Sequence, residues 1–589
     1  RAGEACCDAI NRGVAVWKGK VYVGVLDGRL EAIDAKTGER VWSVDTRYDK
    51  ARSYSITGAP RVVNGKVVIG NGGAEFGVRG YVTAYDAETG KQAWRFFTVP
   101  GDPDKPAEGK GMEIAKKTWH GRAFVEQGGG GTAWDSFAYD PELNLLYIGV
   151  GNGSLWDPIW RSEGKGDNLF LSSIVAVNAD TGEYVWHYQT TPGDAWDYTA
   201  TQHMILADLE IEGKQRKVLM QAPKNGFFYV IDRATGELLS AENIVPINWA
   251  KGVDLKTGRP IVDDEAAAYW KGEKKAKLVQ PGFWGAHDWH PMSYNPNTGL
   301  VYIPAHIMSA WYEHVPDAPA RNKFKSMYQL GLKTGMMPED PEGLGKYADT
   351  WSGKLIAWDP VKQEQAWEVP YVTIFNGGTL STAGNLVFEG SADGRVIAYA
   401  ADTGKKLWEQ PAASGVMAAP ITYSVDGEQY VTFMAGWGGA FSTFAGALSL
   451  RAGVQPYAQV LTYKLGGTAE LQEPAPREDA PKPPPLTADA ATVEAGAKLY
   501  DGYCSQCHGI HAVSGGVLPD LRMLTPEMHE QFLGILHGAR IPDGMPSFAE
   551  AFDREQMEQI HQYLIKRAHD RIEHGPNDLP QPTQKTASN

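Results

Sequence analysis

A pattern Ala-x-Asp-x-x-Thr-Gly-x-x-x-Trp recurs through about the first 410 residues and restricts the fold more than any other feature of the chain. It is clear at Ala32-Ile33-Asp34 with Thr37-Gly38 and Trp42, at Ala84-Tyr85-Asp86 with Thr89-Gly90 and Trp94, and at Ala176 with Thr181-Gly182 and Trp186. Weaker copies run from Ala357 and Asp359 to Trp367, and from Ala398 through Thr403-Gly404 to Trp408. The alanine-to-tryptophan interval is identical in all five, and degenerate copies lie at Asp232 with Thr235-Gly236 and at Asn297-Thr298-Gly299. Each unit reads as a strand, a tight turn and a second strand ending in a large aromatic. Such a hairpin cannot bury its own apolar face. Radial stacking with tryptophans wedged between neighbours makes a β-propeller; a sandwich of hairpins is the competing arrangement. The copies are unevenly spaced, which predicts long loops near 100–130 and 311–350.

After Lys464 the composition changes. Glu473-Pro474-Ala475-Pro476 and Pro481-Lys482-Pro483-Pro484-Pro485 form no core and read as a stiff spacer. The chain thus divides into 1–465, a linker over 466–487 and a unit over 488–589. Ala488 to Tyr503 and Glu555 to Arg567 read as helices. Between them stands Tyr503-Cys504-Ser505-Gln506-Cys507-His508-Gly509. Cys504 and Cys507 can form thioethers to haem vinyl groups, with His508 delivered to an axial face of the iron. Zinc would need two more ligands, and only His511 is near; a redox CxxC would normally follow a strand in a βαβ unit. Met545, on the loop Gly544-Met545-Pro546, is the candidate second axial ligand, with Met523 and Met528 as competitors.

The net charge of −15 argues against nucleic acid. No apolar run is long enough to span a membrane. The four cysteines fall into two pairs, Cys6-Cys7 and Cys504/Cys507, which is not a disulfide scaffold. Covalent haem of this kind is attached outside the cytoplasm, so an exported, periplasmic protein is expected.

The tryptophan repeats, the Cys-Cys pair and the haem motif together resemble the type II quinohaemoprotein alcohol dehydrogenases. The resemblance implies an all-β, eight-bladed propeller with its N-terminal blade incomplete here, lacking roughly the first hundred residues, and a small α-helical cytochrome c domain. It also implies pyrroloquinoline quinone (PQQ), Ca²⁺ and haem c as cofactors. On this resemblance Cys6 and Cys7 form a vicinal disulfide against one face of the quinone, and Trp134, after the run Gly128–Gly131, plates the other. Two free thiols, and another inter-blade wedge, are the alternatives. The further expected PQQ contacts are Arg12, Thr57, Gly73, Ala74, Thr132, Lys224, Asp288 and Trp289, with backbone contacts from Gly436 to Gly439. Asp288 stands where the family more commonly has Asn. Glu75, Asn152 and Asp197 are the implied calcium ligands.

The implied activity is oxidation of a small alcohol to an aldehyde or ketone. Asp197 is the expected general base and Asp194 its rival. Electrons pass to the haem and then to a soluble acceptor (a cytochrome or blue-copper protein) or a membrane quinone pathway. A non-enzymatic electron-transfer propeller is the reading from another class.

Overall fold

The computed structural model describes residues 7, 9–272, 274–317, 330–334, 341–476 and 479–576. Cys6, and much of the long loop expected over 311–350, lie outside them. Among the described residues, six four-stranded antiparallel sheets and one three-stranded sheet follow one another along the chain, over 15–45, 61–97, 137–189, 204–243, 293–371, 379–411 and 421–463.

The repeat explains each sheet. Every alanine of the motif lies directly opposite its tryptophan across the hairpin: Ala32 and Trp42, Ala84 and Trp94, Ala176 and Trp186, Ala357 and Trp367, Ala398 and Trp408. A bulge beside each pair adds local twist. The acidic residue closes the turn: Asp34 Oδ1 accepts from the backbone N–H of Lys36 and Thr37 at 2.9 and 2.8 Å. The tryptophan then reaches the next blade. Trp42 Nε1 donates to Ala87 O at 3.1 Å, Trp94 to Ala179 O at 3.2 Å and Trp367 to Ala401 O at 3.1 Å. These one-to-next contacts build a propeller and exclude the sandwich.

The motif's glycine serves the same docking. Gly182 has φ +74°, and a Cβ there would lie 2.6 Å from the Trp94 ring. Gly182→Ala should therefore cost about 2–4 kcal/mol through a disfavoured backbone and a displaced indole. A lowered denaturant midpoint with the fold retained checks this; an unchanged midpoint would refute the wedge.

Toward the end of the last sheet a short helix, α1 (Gly439–Ala445), precedes the final strand Gln459–Tyr463. Residues 464–489 then carry neither helix nor strand among those described. Helix α2 (Ala490–Tyr503) is N-capped by Asp489, and α3 (Ser505–His508) holds the second cysteine and the histidine. Helix α4 (Arg554–His574) opens on a capping box from Asp553 and Gln556. It outruns the expected end at Arg567, because Ala568 is buried and Asp570 is held by Lys566 and by Arg567 at 2.8 Å. Tyr500, Met557, Ile560 and Leu564 form the core between α2 and α4. No helix among the described residues is long and apolar enough to cross a membrane.

Candidate active site

A cavity of about 770 Å³ is lined from the loops that enter, leave or interrupt the blades. A short 3-10 turn, Ala74–Phe76, aims Glu75 at it, while the loop between the third and fourth sheets supplies Asp197. Cys7, Arg12, Thr57, Gly73, Thr132, Trp134, Asn152, Lys224, Asp288 and Trp289 all line this space, as do Gly436, Trp437, Gly438 and Gly439. Ala74 is buried behind Gly73 and is not among the lining residues. The approach to Trp134 takes four successive positive φ values, at Gly128, Gly129, Gly130 and Gly131, a path open to glycine alone. Cys7 is disulfide-bonded, and its expected partner Cys6 lies outside the described residues.

Arg12 organises the apolar end. Its guanidinium carbon lies 4.7 Å from the Trp134 ring centroid and 5.2 Å from that of Trp289. Its Nη1 donates to Thr57 Oγ1 at 2.7 Å, while Nε and the neighbouring Thr132 Oγ1 have no partner among the described atoms. Unmet donors between two indoles suit a flat ligand bearing carboxylates. Burial pushes the Asp135 carboxyl up to about 7, against Arg12 and Arg61, with Asp288 adding to the rise. Asp288 Oδ1 accepts from the N–H of Trp289 at 2.9 Å. An acid there leaves Arg12 facing two carboxyls.

The polar end holds the base candidate. Asp197 has φ 65°, and its Oδ2 accepts from Lys224 Nζ at 2.8 Å. Burial, then the charges of Glu75 and Asp194, raise its pKa well above the usual carboxylate range, against the pull of Lys224. Lys224 itself is lowered by burial but raised overall by Asp197 and Asp288. Glu75 Oε1 accepts from Asn152 Nδ2 at 2.9 Å and from Trp156 Nε1 at 3.4 Å. Among the described residues no three His, Cys, Asp or Glu side chains form a metal cluster. Two acids and the Asn152 amide are the oxygen set on offer, and hard oxygen donors suit calcium. Asp194 does not line the cavity; its Oδ1 accepts from Trp196 and Tyr198 N–H at 3.1 Å and braces the loop.

The cavity extends to Ser505 and Ile510, beside the haem motif. Cys504 and Cys507 are not joined in a disulfide. His508 Nδ1 donates to Pro519 O at 2.9 Å, which leaves Nε2 for iron. Met523 Sδ accepts from Arg571 Nε at 3.0 Å, whereas Met545 lies on the core's rim after Gly544 at φ 94°. Gly515 sits so close to Ser442 on α1 that a Cβ would fall 1.9 Å from its carbonyl oxygen.

Sequence reasoning missed Asp135, Trp156, Phe283 and Trp284. Asp135 directly follows the tryptophan already singled out, and an acid beside a ligand plate was the available signal. The other three join the site only through long-range folding.

The family model described as "Glucose/ethanol/alcohol dehydrogenase, beta-propeller domain" matches residues 2–269 and 264–431, and "Cytochrome C oxidase, cbb3-type, subunit III" matches 491–564. Quinohemoprotein alcohol dehydrogenase ADH-IIG of Pseudomonas putida is 85% identical over 98% of this chain and 80% of its own. The solved structure of ADHIIG from Pseudomonas putida HK5 superposes with a TM-score of 0.95 at 85% identity, covering 98% of this chain and 84% of that one. The quinohemoprotein alcohol dehydrogenase of Comamonas testosteroni gives 0.86 at 47% identity, covering 96% and 83%. With the propeller model matched over most of the chain and relatives at this identity and coverage, the chain belongs to the quinohaemoprotein alcohol dehydrogenase family.

Proposed function

We propose that this protein oxidises alcohols to aldehydes or ketones in a PQQ-dependent reaction and passes the electrons through haem c to an external acceptor. The observation that carries the reading is the single cavity holding Asp197 with Lys224, Glu75 with Asn152, and Arg12 between Trp134 and Trp289, and reaching the haem motif. When bound, the quinone supplies a two-electron acceptor, calcium a Lewis acid and haem c a one-electron carrier.

Asp197 takes the hydroxyl proton as general base. The 2.8 Å bond from Lys224 to Oδ2 holds its carboxylate and leaves Oδ1 to accept the proton. Arg12 presents a planar fork to a cofactor carboxylate, beside Thr57 and the free hydroxyl of Thr132. Trp134 and the disulfide-bonded Cys7 would hold the flat ligand from the cavity wall. Gly73 and the 436–439 backbone allow close approach, and Asp288 and Trp289 close the edge. Trp156, Phe283, Trp284 and Leu330 form the apolar wall for the alcohol's carbon chain. Glu75, Asn152 and Asp197 would hold calcium. Cys504 and Cys507 would anchor the haem, and His508 and Met545 would hold its iron.

The domains over 1–465 and 488–589 divide the labour, joined by the linker over 466–487. The ring is proposed to have eight blades, and seven blade-like sheets lie among the described residues over 15–463. Haem c of this kind is attached outside the cytoplasm, which supports a periplasmic protein whose electrons go to a soluble cytochrome, a blue-copper protein or a membrane quinone pathway.

Reconstitution with PQQ and Ca²⁺, followed by alcohol-dependent dye reduction, tests the reading; a PQQ-loaded protein inert toward an alcohol series would refute it. Calcium removal should abolish turnover even with PQQ retained, because the Lewis acid that Glu75, Asn152 and Asp197 would hold is lost. Full activity in excess chelator, with metal analysis finding no calcium, would exclude the calcium site.

A further inference from the structure

Three consecutive carbonyl oxygens ahead of Asp197 each accept a bond from a different buried side chain. Arg161 Nη2 donates to Asp194 O at 2.7 Å, the Tyr269 hydroxyl to Ala195 O, and the Tyr312 hydroxyl to Trp196 O at 3.0 Å. All three donors are fully buried and come from separate segments of the chain. The third bond has a special place. The Trp196 carbonyl belongs to the peptide whose nitrogen is that of Asp197, so fixing its direction fixes φ at Asp197. That φ is 65°, a conformation that a non-glycine residue keeps only when its surroundings over-determine it.

The strand of Tyr312 also adjoins the substrate wall. This strand, Ala310–His314, pairs Tyr312 with Lys277 on one side and Thr334 on the other, and Thr334 and Leu330 line the cavity. The same insert is fastened twice more to the floor of the site. His314 Nδ1 lies 2.7 Å from Asp157 Oδ2, and Leu330 O accepts from Trp156 N–H at 2.8 Å. One small sheet therefore carries both part of the alcohol's wall and the hydroxyl that sets the base's backbone.

We infer that Tyr312 is a positioning residue: its hydroxyl holds the Trp196–Asp197 peptide so that the Asp197 carboxylate faces an alcohol seated against the Leu330–Thr334 wall. This rests on Asp197 as the base, and the test separates the two. Tyr312→Phe removes only the hydroxyl and leaves a buried carbonyl unpaired, so kcat of the PQQ- and Ca²⁺-loaded enzyme should fall about tenfold. KM for the alcohol should stay within about twofold, since the wall itself is intact. In the full chain without PQQ, amide exchange over 194–198 should speed up. Tyr147→Phe serves as the control: its hydroxyl donates to Arg233 O at 2.8 Å, away from the cavity, and neither readout should move. If Tyr312→Phe fails to fold, Tyr269→Phe, which frees the adjacent carbonyl, carries the same expectation. Unchanged exchange, or faster exchange with normal kcat, overturns the positioning role. Normal turnover in Asp197→Asn would instead remove the base, while the exchange result still decides whether the clamp exists.

Discussion

Asp197→Asn should lower turnover at least about 10²-fold, the usual scale for losing a positioned general base. The amide keeps the size of the side chain but cannot accept the hydroxyl proton. Its one oxygen can still accept from Lys224 Nζ, as Oδ2 now does at 2.8 Å, but the carboxylate charge that strengthens this bond is lost. Asp194→Asn should behave differently. That carboxylate accepts two backbone N–H bonds at 3.1 Å and does not line the cavity, so its amide can keep one oxygen as acceptor. Steady-state kinetics on both variants, each loaded with PQQ and Ca²⁺, decide the assignment. Near-normal turnover in Asp197→Asn with a collapse in Asp194→Asn would transfer the base to Asp194.

The body of the fold was legible because its signals are local. An Ala-to-Trp interval is a cross-strand pair once the turn between them is tight, and the Asp34 turn makes that pair with bonds two and three residues long. The reason for the motif's glycine was not legible, since Gly182 packs on Trp94 of the preceding blade. The haem region was readable for the same local reason, and α4 was misjudged only at its far end, where Lys566 and Arg567 hold Asp570.

The site divides along similar lines. Residues carried by short motifs, such as Glu75, Asn152, Trp134 and Asp197, converge on one cavity. Their partners could not be read from spacing. Lys224, expected as a PQQ contact, bonds the Asp197 carboxylate, and Arg12 lies between indoles that are far apart in the chain. Tyr269 and Tyr312 are ordinary core tyrosines in any linear reading. Only tertiary packing shows that their hydroxyls end on Ala195 and Trp196.

Met545→Ala should leave alcohol-dependent quinone reduction intact while lowering the haem potential and slowing electron arrival at the haem, because thioether ligation raises the potential. Met545 is favoured because the sulfur of Met523 is taken by Arg571 at 3.0 Å and Met528 lies within the short helix Pro526–Glu530. Docking is a separate variable. The tether raises the local concentration of the haem unit, so cutting between Glu473 and Pro485 should slow transfer without touching the haem spectrum. The interface contributes as well: α3 packs on α1, and a Cβ at Gly515 would fall 1.9 Å from Ser442 O. Gly515→Val should therefore push the two units apart, with an unaltered haem spectrum and slower haem reduction. Stopped-flow spectra after alcohol addition resolve quinone from haem. An unchanged spectrum and potential in Met545→Ala would assign the ligand to another methionine, and unchanged haem reduction in Gly515→Val would mean that this contact does not set the transfer distance.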